Sequence, residues 1–262
     1  MPRSIKAGDV VLGSRERITP AHVAVLASVG CVRPLVSRRV TVGIIATGDE
    51  IVEPGEEPSP SQIRNSNGPQ LLAQAARMGA APRYCGIARD SEAAIDRVIA
   101  EAVAGNDVII LSGGVSAGDL DLVPGVLRRN GFELLFEKIA TKPGKPTIFG
   151  DSGEAFCIGL PGNPVSTLIL FEVLVKPFLF KMMGHDFEPR RVSMPLAKSI
   201  KRKKTGRMSW VPVAMTAAGG VLPVEYHGSA HIHSLCFADG LISIPVGVPE
   251  IKEGTSVHVR QI

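Results

Sequence analysis

Paired cysteines are missing from this sequence. Its 262 residues include four cysteines, none of which forms a CxxC pair or stands beside a histidine at metal-ligand spacing. The four single thiols are Cys31, Cys85, Cys157 and Cys236. The sequence therefore indicates neither a disulfide framework nor a cysteine-based zinc site. The pattern is typical of buried thiols in a reducing compartment.

Long apolar runs are missing as well. Residues 1–4 lead into Gly and Asp without the apolar stretch of a signal peptide. The one segment of membrane-like length, 165–183, contains Glu172, Lys176 and Pro177, which favours a buried amphipathic helix. We therefore expect a cytoplasmic protein without a membrane partner.

The chain also lacks a strong excess of either charge. It carries 29 Lys and Arg residues against 25 Asp and Glu residues, a net charge of +4 at pH 7. This balance helps to attract phosphorylated small molecules but falls short of a nucleic-acid-binding surface. We interpret the one compact basic run, 201–204, as a solvated turn between strands. No nucleic-acid partner is expected.

Strand and helix patterns alternate from residue 39, as in a mostly parallel sheet that is covered on both faces. The predicted strands are 40–46, 83–88, 107–111, 134–139, 147–149 and 155–158, and the predicted helices are 71–78, 94–103, 123–129 and 164–183. Internal repeats and low-complexity segments are absent from the sequence. We therefore predict one doubly wound α/β domain over residues 40–185.

The two ends of the chain differ from this middle part. Short alternating runs broken by Gly, Pro and Lys follow it, and they predict a small C-terminal β-barrel domain over residues 186–262. In the preceding region, 1–39, segments 10–12 and 31–36 are predicted to be extended, with a helix between them that starts at Thr19 and Pro20. This region is too short for a core of its own.

The stretch Leu160-Pro161-Gly162-Asn163-Pro164-Val165-Ser166 joins a predicted strand to a long predicted helix. Pro164 suits the first helical turn, and Asn163 is a good N-cap. Such a corner directs backbone N–H groups and the positive end of the helix dipole beyond the ends of the strands. An anion is the expected occupant.

Other polar groups follow the neighbouring strands. The loop with Ser112, Gly113 and Gly114 precedes a helix and suits a backbone cradle for phosphate, although such turns also need Gly for steric reasons. Lys142 and Lys145 flank a stiff Pro-Gly pair and suit an oxyanion, although both also fit a solvated surface. Because ligands of open α/β sheets bind beyond the carboxyl ends of the strands, we expect these groups around one cleft.

Three carboxylates are candidates for a metal site. Glu50, Asp90 and Asp121 each follow a predicted strand, and oxygen ligands of this kind suit Mg²⁺. Each of them also fits a role at a helix terminus. His231 and His233 share a face if their segment is a strand, but we expect no metal there.

These motifs resemble, in order and spacing, those of the molybdopterin molybdenumtransferase family, which includes MoeA and the gephyrin E domain. The matching segments are Thr47-Gly48-Asp49-Glu50-Ile51, Asn65-Ser66-Asn67, Asp90, Ser112-Gly113-Gly114-Val115-Ser116, Lys142-Pro143-Gly144-Lys145-Pro146 and the corner at 160–166. The tail around 228–241 is similar to the family's C-terminal β-barrel. Family members carry a longer N-terminal region, so the resemblance implies that 1–39 is a remnant of it.

The resemblance implies insertion of molybdenum from molybdate into adenylylated molybdopterin, with release of AMP and help from Mg²⁺. It implies catalytic and metal-binding roles for Glu50, Asp90 and Asp121. The substrate would be held by Ser112, Gly113, Gly114, Lys142, Lys145, Pro161, Gly162, Asn163, Pro164 and Ser166. A homodimer, and contact with the adenylyltransferase of the same pathway, are implied as well.

Two other functions remain open at this point. A chain that lacks most of the family's N-terminal region also fits a non-catalytic molybdopterin-binding or scaffold protein. Molybdopterin adenylyltransferases use a similar α/β domain, although the C-terminal β region and the 142–146 loop argue against that activity. Binding without turnover would favour the first alternative, and consumption of ATP the second.

Overall fold

The computed structural model describes residues 5–115, 122–225 and 231–262. The helices are α1 Pro20–Ser28, α2 Asn67–Arg77, α3 Glu92–Val103, α4 Val123–Arg129, α5 Pro164–Leu170 and α6 Lys176–Met182. A π-helical turn, Phe171–Val175, joins α5 to α6, and a 3₁₀ helix spans Ile232–Phe237. The strands are β1 Thr41–Thr47, β2 Ile51–Val52, β3 Ile63–Arg64, β4 Ala81–Ala88, β5 Val108–Ser112, β6 Glu133–Lys138, β7 Thr141–Lys142, β8 Pro146–Asp151, β9 Phe156–Leu160, β10 Arg191–Pro195, β11 Ile200–Lys201, β12 Met208–Met215, β13 Val221–Pro223, β14 Gly240–Ile244, β15 Glu250–Ile251 and β16 Ser256–Gln261.

The first sheet has the strand order β4-β1-β5-β9-β8-β6. Its first four strands are parallel, whereas β8 runs antiparallel to both β9 and β6. After β1 the chain crosses to β4 on one side, and after β4 it returns across β1 to β5 on the other side. The point where the direction of winding reverses therefore lies between β1 and β5, where open α/β sheets bind their ligands. The predicted doubly wound, mostly parallel sheet is confirmed.

Side chains that alternate along the strands build a core on each face of this sheet. Ile44 packs with α2 and the 164–182 helix, together with Leu71 and Phe171. The next residue, Ile45, packs on the opposite face with Ile99 of α3 and Leu127 of α4. This alternation follows from the two-residue period of a strand.

The C-terminal part forms a second sheet, in the order β10-β16-β14-β12-β13. All neighbours along that path are antiparallel. An isolated bridge between Leu196 and Val221 brings the segment after β10 next to β13. Val213, Ile242 and Val259 are buried inside. This arrangement is consistent with the predicted small barrel.

Neither of the segments predicted to be extended, 10–12 and 31–36, belongs to a strand. Val10, Val32 and Leu35 are 87%, 85% and 103% exposed, so their apolar side chains have no sheet to pack on. The helix between them is confirmed, and Thr19 and His22 form a capping box at its start.

Glu172 lies within the π-helical turn and connects helices α2 and α6 to β16 of the second sheet. Its side chain is 2% exposed and accepts hydrogen bonds from Arg77 at 2.9 Å, Lys176 at 2.7 Å and Gln74 at 3.1 Å. Its backbone carbonyl accepts a further hydrogen bond from Arg260 of β16. These partners make the burial of the carboxylate tolerable.

Within the described residues, none of the helices has both the length and the apolar character needed to cross a membrane.

Asp107 ties the start of β5 to the segment before β1. Its carboxylate accepts hydrogen bonds from two Arg38 nitrogens at 2.6 Å each, and from the Thr41 amide and hydroxyl at 2.8 Å each. The hydrogen bonds from Arg38 lower the pKa of Asp107 well below its usual range, against an opposing effect of burial. The ionised form is therefore favoured in the folded state.

Asp107 should make stability sensitive to acid. Because its pKa is lower in the folded state, its contribution is present above the unfolded-state pKa of about 4 and is lost as the pH falls below that value. As the pH is lowered from about 5 to about 2, we expect the free energy of unfolding to fall less steeply in Asp107→Asn than in the wild type. Urea denaturation over this pH range measures the difference. Equal slopes for both proteins would contradict the prediction.

Candidate functional site

A cleft of about 1000 Å³ lies beyond the carboxyl ends of β1, β5 and β9. We call it the main cleft. Nine of the predicted site residues line it, namely Glu50, Asp90, Ser112, Gly113, Gly114, Pro161, Gly162, Asn163 and Pro164. Ile232 of the 3₁₀ helix also lines it, so the C-terminal part contributes to its wall. The sheet therefore brings most of the predicted site together at its switch point.

Four predicted site residues are not placed in this cleft. Ser166 is buried at 3% exposure in α5, and Lys145 is exposed outside the lining. Lys142 belongs to β7, which pairs with β12 of the second sheet, and it lines a different cavity. Asp121 lies outside the described residues.

Gly113 and Gly114 form the sharp turn after β5, with φ angles of 105° and 61°. The Gly113 amide donates to the carbonyl of Leu160 at 3.0 Å and is therefore not available to a ligand. A Cβ on Gly113 would lie 2.7 Å from the Thr47 carbonyl oxygen. Both glycines thus have a steric role, because a positive φ and this close approach exclude other residues.

Asn67, the first residue of α2, links that helix to the end of β5 and to the loop after β9 in the lining of the main cleft. It is 8% exposed, and its Nδ2 donates to the Ser112 hydroxyl and the Gly162 carbonyl, both at 2.7 Å. Its Oδ1 is buried without a hydrogen-bond partner among the described residues. Asn67 was not among the predicted site residues, although the motif Asn65-Ser66-Asn67 marked its segment.

Two of the three predicted metal ligands, Glu50 and Asp90, line the main cleft. Asp90 Oδ2 accepts from the Asp49 amide at 3.2 Å, and Asp49 Oδ1 accepts from the Asp90 amide at 3.0 Å. The Glu50 carboxylate folds back over Gly48, where an added Cβ would lie 2.6 Å from Glu50 Oε2. Among the described residues, His, Cys, Asp and Glu form no group of three arranged to hold a metal. Two cleft carboxylates nevertheless fit Mg²⁺, which proteins often hold by one or two carboxylates together with substrate phosphates.

The corner before α5 has the predicted position but not the predicted cap. Asn163 occupies the N-cap position with extended backbone, yet its side chain forms no capping hydrogen bond. Thr167 instead donates its hydroxyl to the Pro161 carbonyl at 2.6 Å and holds the corner from inside the helix. The corner is therefore fixed by a residue of the first helical turn.

Tyr84 forms a hydrogen bond with Asn65, which lines the main cleft. Its hydroxyl donates to Glu53 Oε1 at 2.7 Å and accepts from Asn65 Nδ2 at 2.8 Å, and Asn65 Oδ1 accepts from the Gly68 amide at 2.9 Å. Burial is the main cause that raises the pKa of Tyr84, and the hydrogen bond to Glu53 adds to it. The chain of hydrogen bonds joins the loop after β2 to the start of α2.

Tyr84→Phe should loosen this wall without disturbing the core. The change removes the hydroxyl and leaves Asn65 and Glu53 without their shared partner, so we expect a loss of about 1 kcal/mol in the free energy of unfolding. Urea denaturation measures it. Glu53→Gln keeps an acceptor for the hydroxyl and should cost less, whereas an equal loss in both variants would contradict the proposed role of the Tyr84 hydroxyl.

A second cavity, which we call the basic cleft, is lined by Lys142 and by the segment around β11 and β12. The sequence-based interpretation of 201–204 as a solvated turn is wrong for Arg202. Its guanidinium donates to the carbonyls of Val248 and Pro245 at 2.6 and 2.7 Å and to the Ser209 hydroxyl at 2.8 Å. A local run of charge cannot reveal acceptors that come from a distant part of the chain.

His231 and His233 do not share a strand, because their segment forms or precedes the 3₁₀ helix. The expectation that no metal binds there stays a prediction.

Comparison with known proteins identifies two families along the chain. The family described as "Probable molybdopterin binding domain" matches residues 43–181, and "MoeA C-terminal region (domain IV)" matches residues 194–262. Molybdopterin molybdenumtransferase from Staphylococcus epidermidis is 34% identical over 97% of this chain and 62% of that protein. The protein of the same description from Bacillus subtilis is 30% identical over 97% of this chain and 60% of its own length.

A solved structure shows the same fold. The MoeA molybdopterin biosynthesis protein from Pyrococcus horikoshii superposes with a TM-score of 0.82 at 33% identity, covering 94% of this chain and 60% of that one. The chain thus spans about three fifths of the length of the relatives that it matches.

Proposed function

Because the chain belongs to the molybdopterin molybdenumtransferase family, we propose that it inserts molybdenum from molybdate into adenylylated molybdopterin and releases AMP. The observation that carries the proposal is the main cleft at the β1–β5 switch point, which the Gly113-Gly114 turn, Asn67 and two carboxylates line together. The family and the curated relatives support the broader function in molybdenum cofactor biosynthesis, of which this reaction would be one step.

The proposed reaction requires the protein to stabilise negative charge. Release of AMP breaks a phosphoanhydride bond, and charge develops on the phosphate oxygens. Glu50 and Asp90 would hold Mg²⁺, which supplies positive charge beside these oxygens. The corner at Pro161 and Pro164 leads into the N-terminus of the 164–182 helix, whose dipole favours an oxyanion such as molybdate. Asn67 and Tyr84 keep the walls in place.

An assay of product release tests the proposal. The purified chain is incubated with adenylylated molybdopterin, MgCl₂ and molybdate, and AMP is measured by chromatography. We expect AMP release that depends on both molybdate and Mg²⁺. Tight binding of the pterin without AMP release would instead support a non-catalytic molybdopterin-binding or scaffold protein. Consumption of ATP with molybdopterin as acceptor would support an adenylyltransferase.

We also propose the domain limits 1–39, 40–185 and 186–262, a homodimer, a cytoplasmic location and contact with the adenylyltransferase of the pathway. The two family matches at 43–181 and 194–262 support the domain limits. Sedimentation analysis of the purified chain tests the dimer, and a single species of monomer mass at all concentrations would reject it.

A further inference from the structure

A single permanent cation lines the main cleft among the described residues, and it is Arg64. From the sequence, the cations of this site are expected at Lys142 and Lys145. Neither lies in the lining of the main cleft. Where no Mg²⁺ neutralises them, Glu50 and Asp90 in the same lining would repel an anionic ligand. The positive charge of Arg64 offsets that repulsion.

The backbone on either side of Arg64 is hydrogen-bonded to the segment 50–52. β2 and β3 form a short parallel ladder in which Val52 pairs with Arg64. The Ile63 amide donates to the Glu50 carbonyl and the Asn65 amide to the Val52 carbonyl, both at 2.8 Å. The ladder therefore fixes the backbone of Arg64 relative to the backbone of Glu50, which lines the same cleft.

The side chain of Arg64 is anchored at one nitrogen only. Its Nε donates to the Pro54 carbonyl at 3.2 Å. The two terminal nitrogens form no hydrogen bond or ion pair with another described residue, and the side chain is exposed. A guanidinium held in this way keeps a pair of donors in the planar arrangement that matches two oxygens of a phosphate group.

We propose that Arg64 binds a phosphate group of the ligand in the main cleft, and that it supplies the positive charge expected earlier from Lys142 and Lys145. The inference rests on the proposed function, since it takes the phosphoanhydride of adenylylated molybdopterin as the ligand. The same guanidinium geometry suits any tetrahedral oxyanion, including molybdate, so the test distinguishes the two.

Calorimetric titration of AMP in the presence of Mg²⁺ tests the inference on the whole chain. We expect Arg64→Gln to weaken AMP binding by about 10- to 100-fold, because it removes charge-assisted hydrogen bonds to phosphate. Arg64→Lys should lie between, since an ammonium keeps the charge but loses the paired donors. Arg97→Gln, the same change at an exposed site of α3 outside the cleft lining, should leave affinity within about twofold.

The arms of the experiment separate the possible failures. AMP binding that is unchanged in Arg64→Gln but weakened in Lys142→Gln would overturn the inference while leaving the proposed function intact. A wild type that binds AMP through Arg64 but releases no AMP from adenylylated molybdopterin would keep the inference and reject the function. Weakened molybdate binding with unchanged AMP binding would assign Arg64 to molybdate and overturn the phosphate assignment.

Discussion

Gly113→Ala is expected to lower the free energy of unfolding by about 3 kcal/mol and to prevent ligand binding in the main cleft. Position 113 has a φ of 105°, and a Cβ there would lie 2.7 Å from both the carbonyl oxygen and the hydroxyl of Thr47. Relief of the clash requires the turn after β5 to move away from the end of β1. That movement would widen the switch point where the ligand is expected.

A matched control uses the same substitution in α4. Gly125 is exposed, and a Cβ there would meet nothing within 4 Å. Gly125→Ala should raise the free energy of unfolding by up to about 1 kcal/mol, because Ala is the better helix former. Urea denaturation of both variants gives the comparison. A Gly113→Ala protein of wild-type stability would show that the turn tolerates a side chain.

Asn67→Asp should be nearly as damaging, with a dependence on pH. The change replaces the Nδ2 donor by a carboxylate oxygen that faces the Gly162 carbonyl 2.7 Å away, in a residue that is 8% exposed. At pH 7 we expect a loss of about 3 kcal/mol, the usual cost of a buried charge without a partner. The introduced carboxyl should have a raised pKa in the folded state, so part of the loss should be recovered as the pH falls and the group becomes protonated.

Asn67→Ala serves as the control for charge. It removes the same two hydrogen bonds but introduces no ionisable group, so its cost should be about 2 kcal/mol and independent of pH. Denaturation at two pH values, near 5 and 8, separates the effects. If Asn67→Asp showed no more pH dependence than Asn67→Ala, the buried bridge from α2 to Ser112 and Gly162 would not be as described.

Much of the fold follows from local sequence patterns. Helix α4 begins at Val123 and ends at Arg129 as predicted, because Pro near its start and apolar residues at helical spacing act within the segment. The strands of the parallel sheet are similarly visible as β-branched apolar runs. The end of the chain at 191–261 shows the predicted short strands.

The failures of prediction share a physical cause. In each case the structure depends on whether a partner from a distant part of the sequence is present. The segment 10–12 is apolar but has no neighbouring strand, so no ladder forms. Lys142 lies away from the main cleft because it belongs to β7, which pairs with β12. The position of a two-residue strand is determined by its pairing partner more than by its own sequence. Arg64 is one charged residue in a short polar segment, and only the adjacent Asn65-Ser66-Asn67 motif marked that segment in the sequence.

A crystal structure of the chain with adenylylated molybdopterin bound is the most direct measurement. We expect the ligand in the main cleft, with its phosphates between Arg64 and the turn at Gly114 and with Glu50 and Asp90 beside them. Ligand bound in the basic cleft next to Lys142, with the main cleft empty, would contradict the assignment of the site.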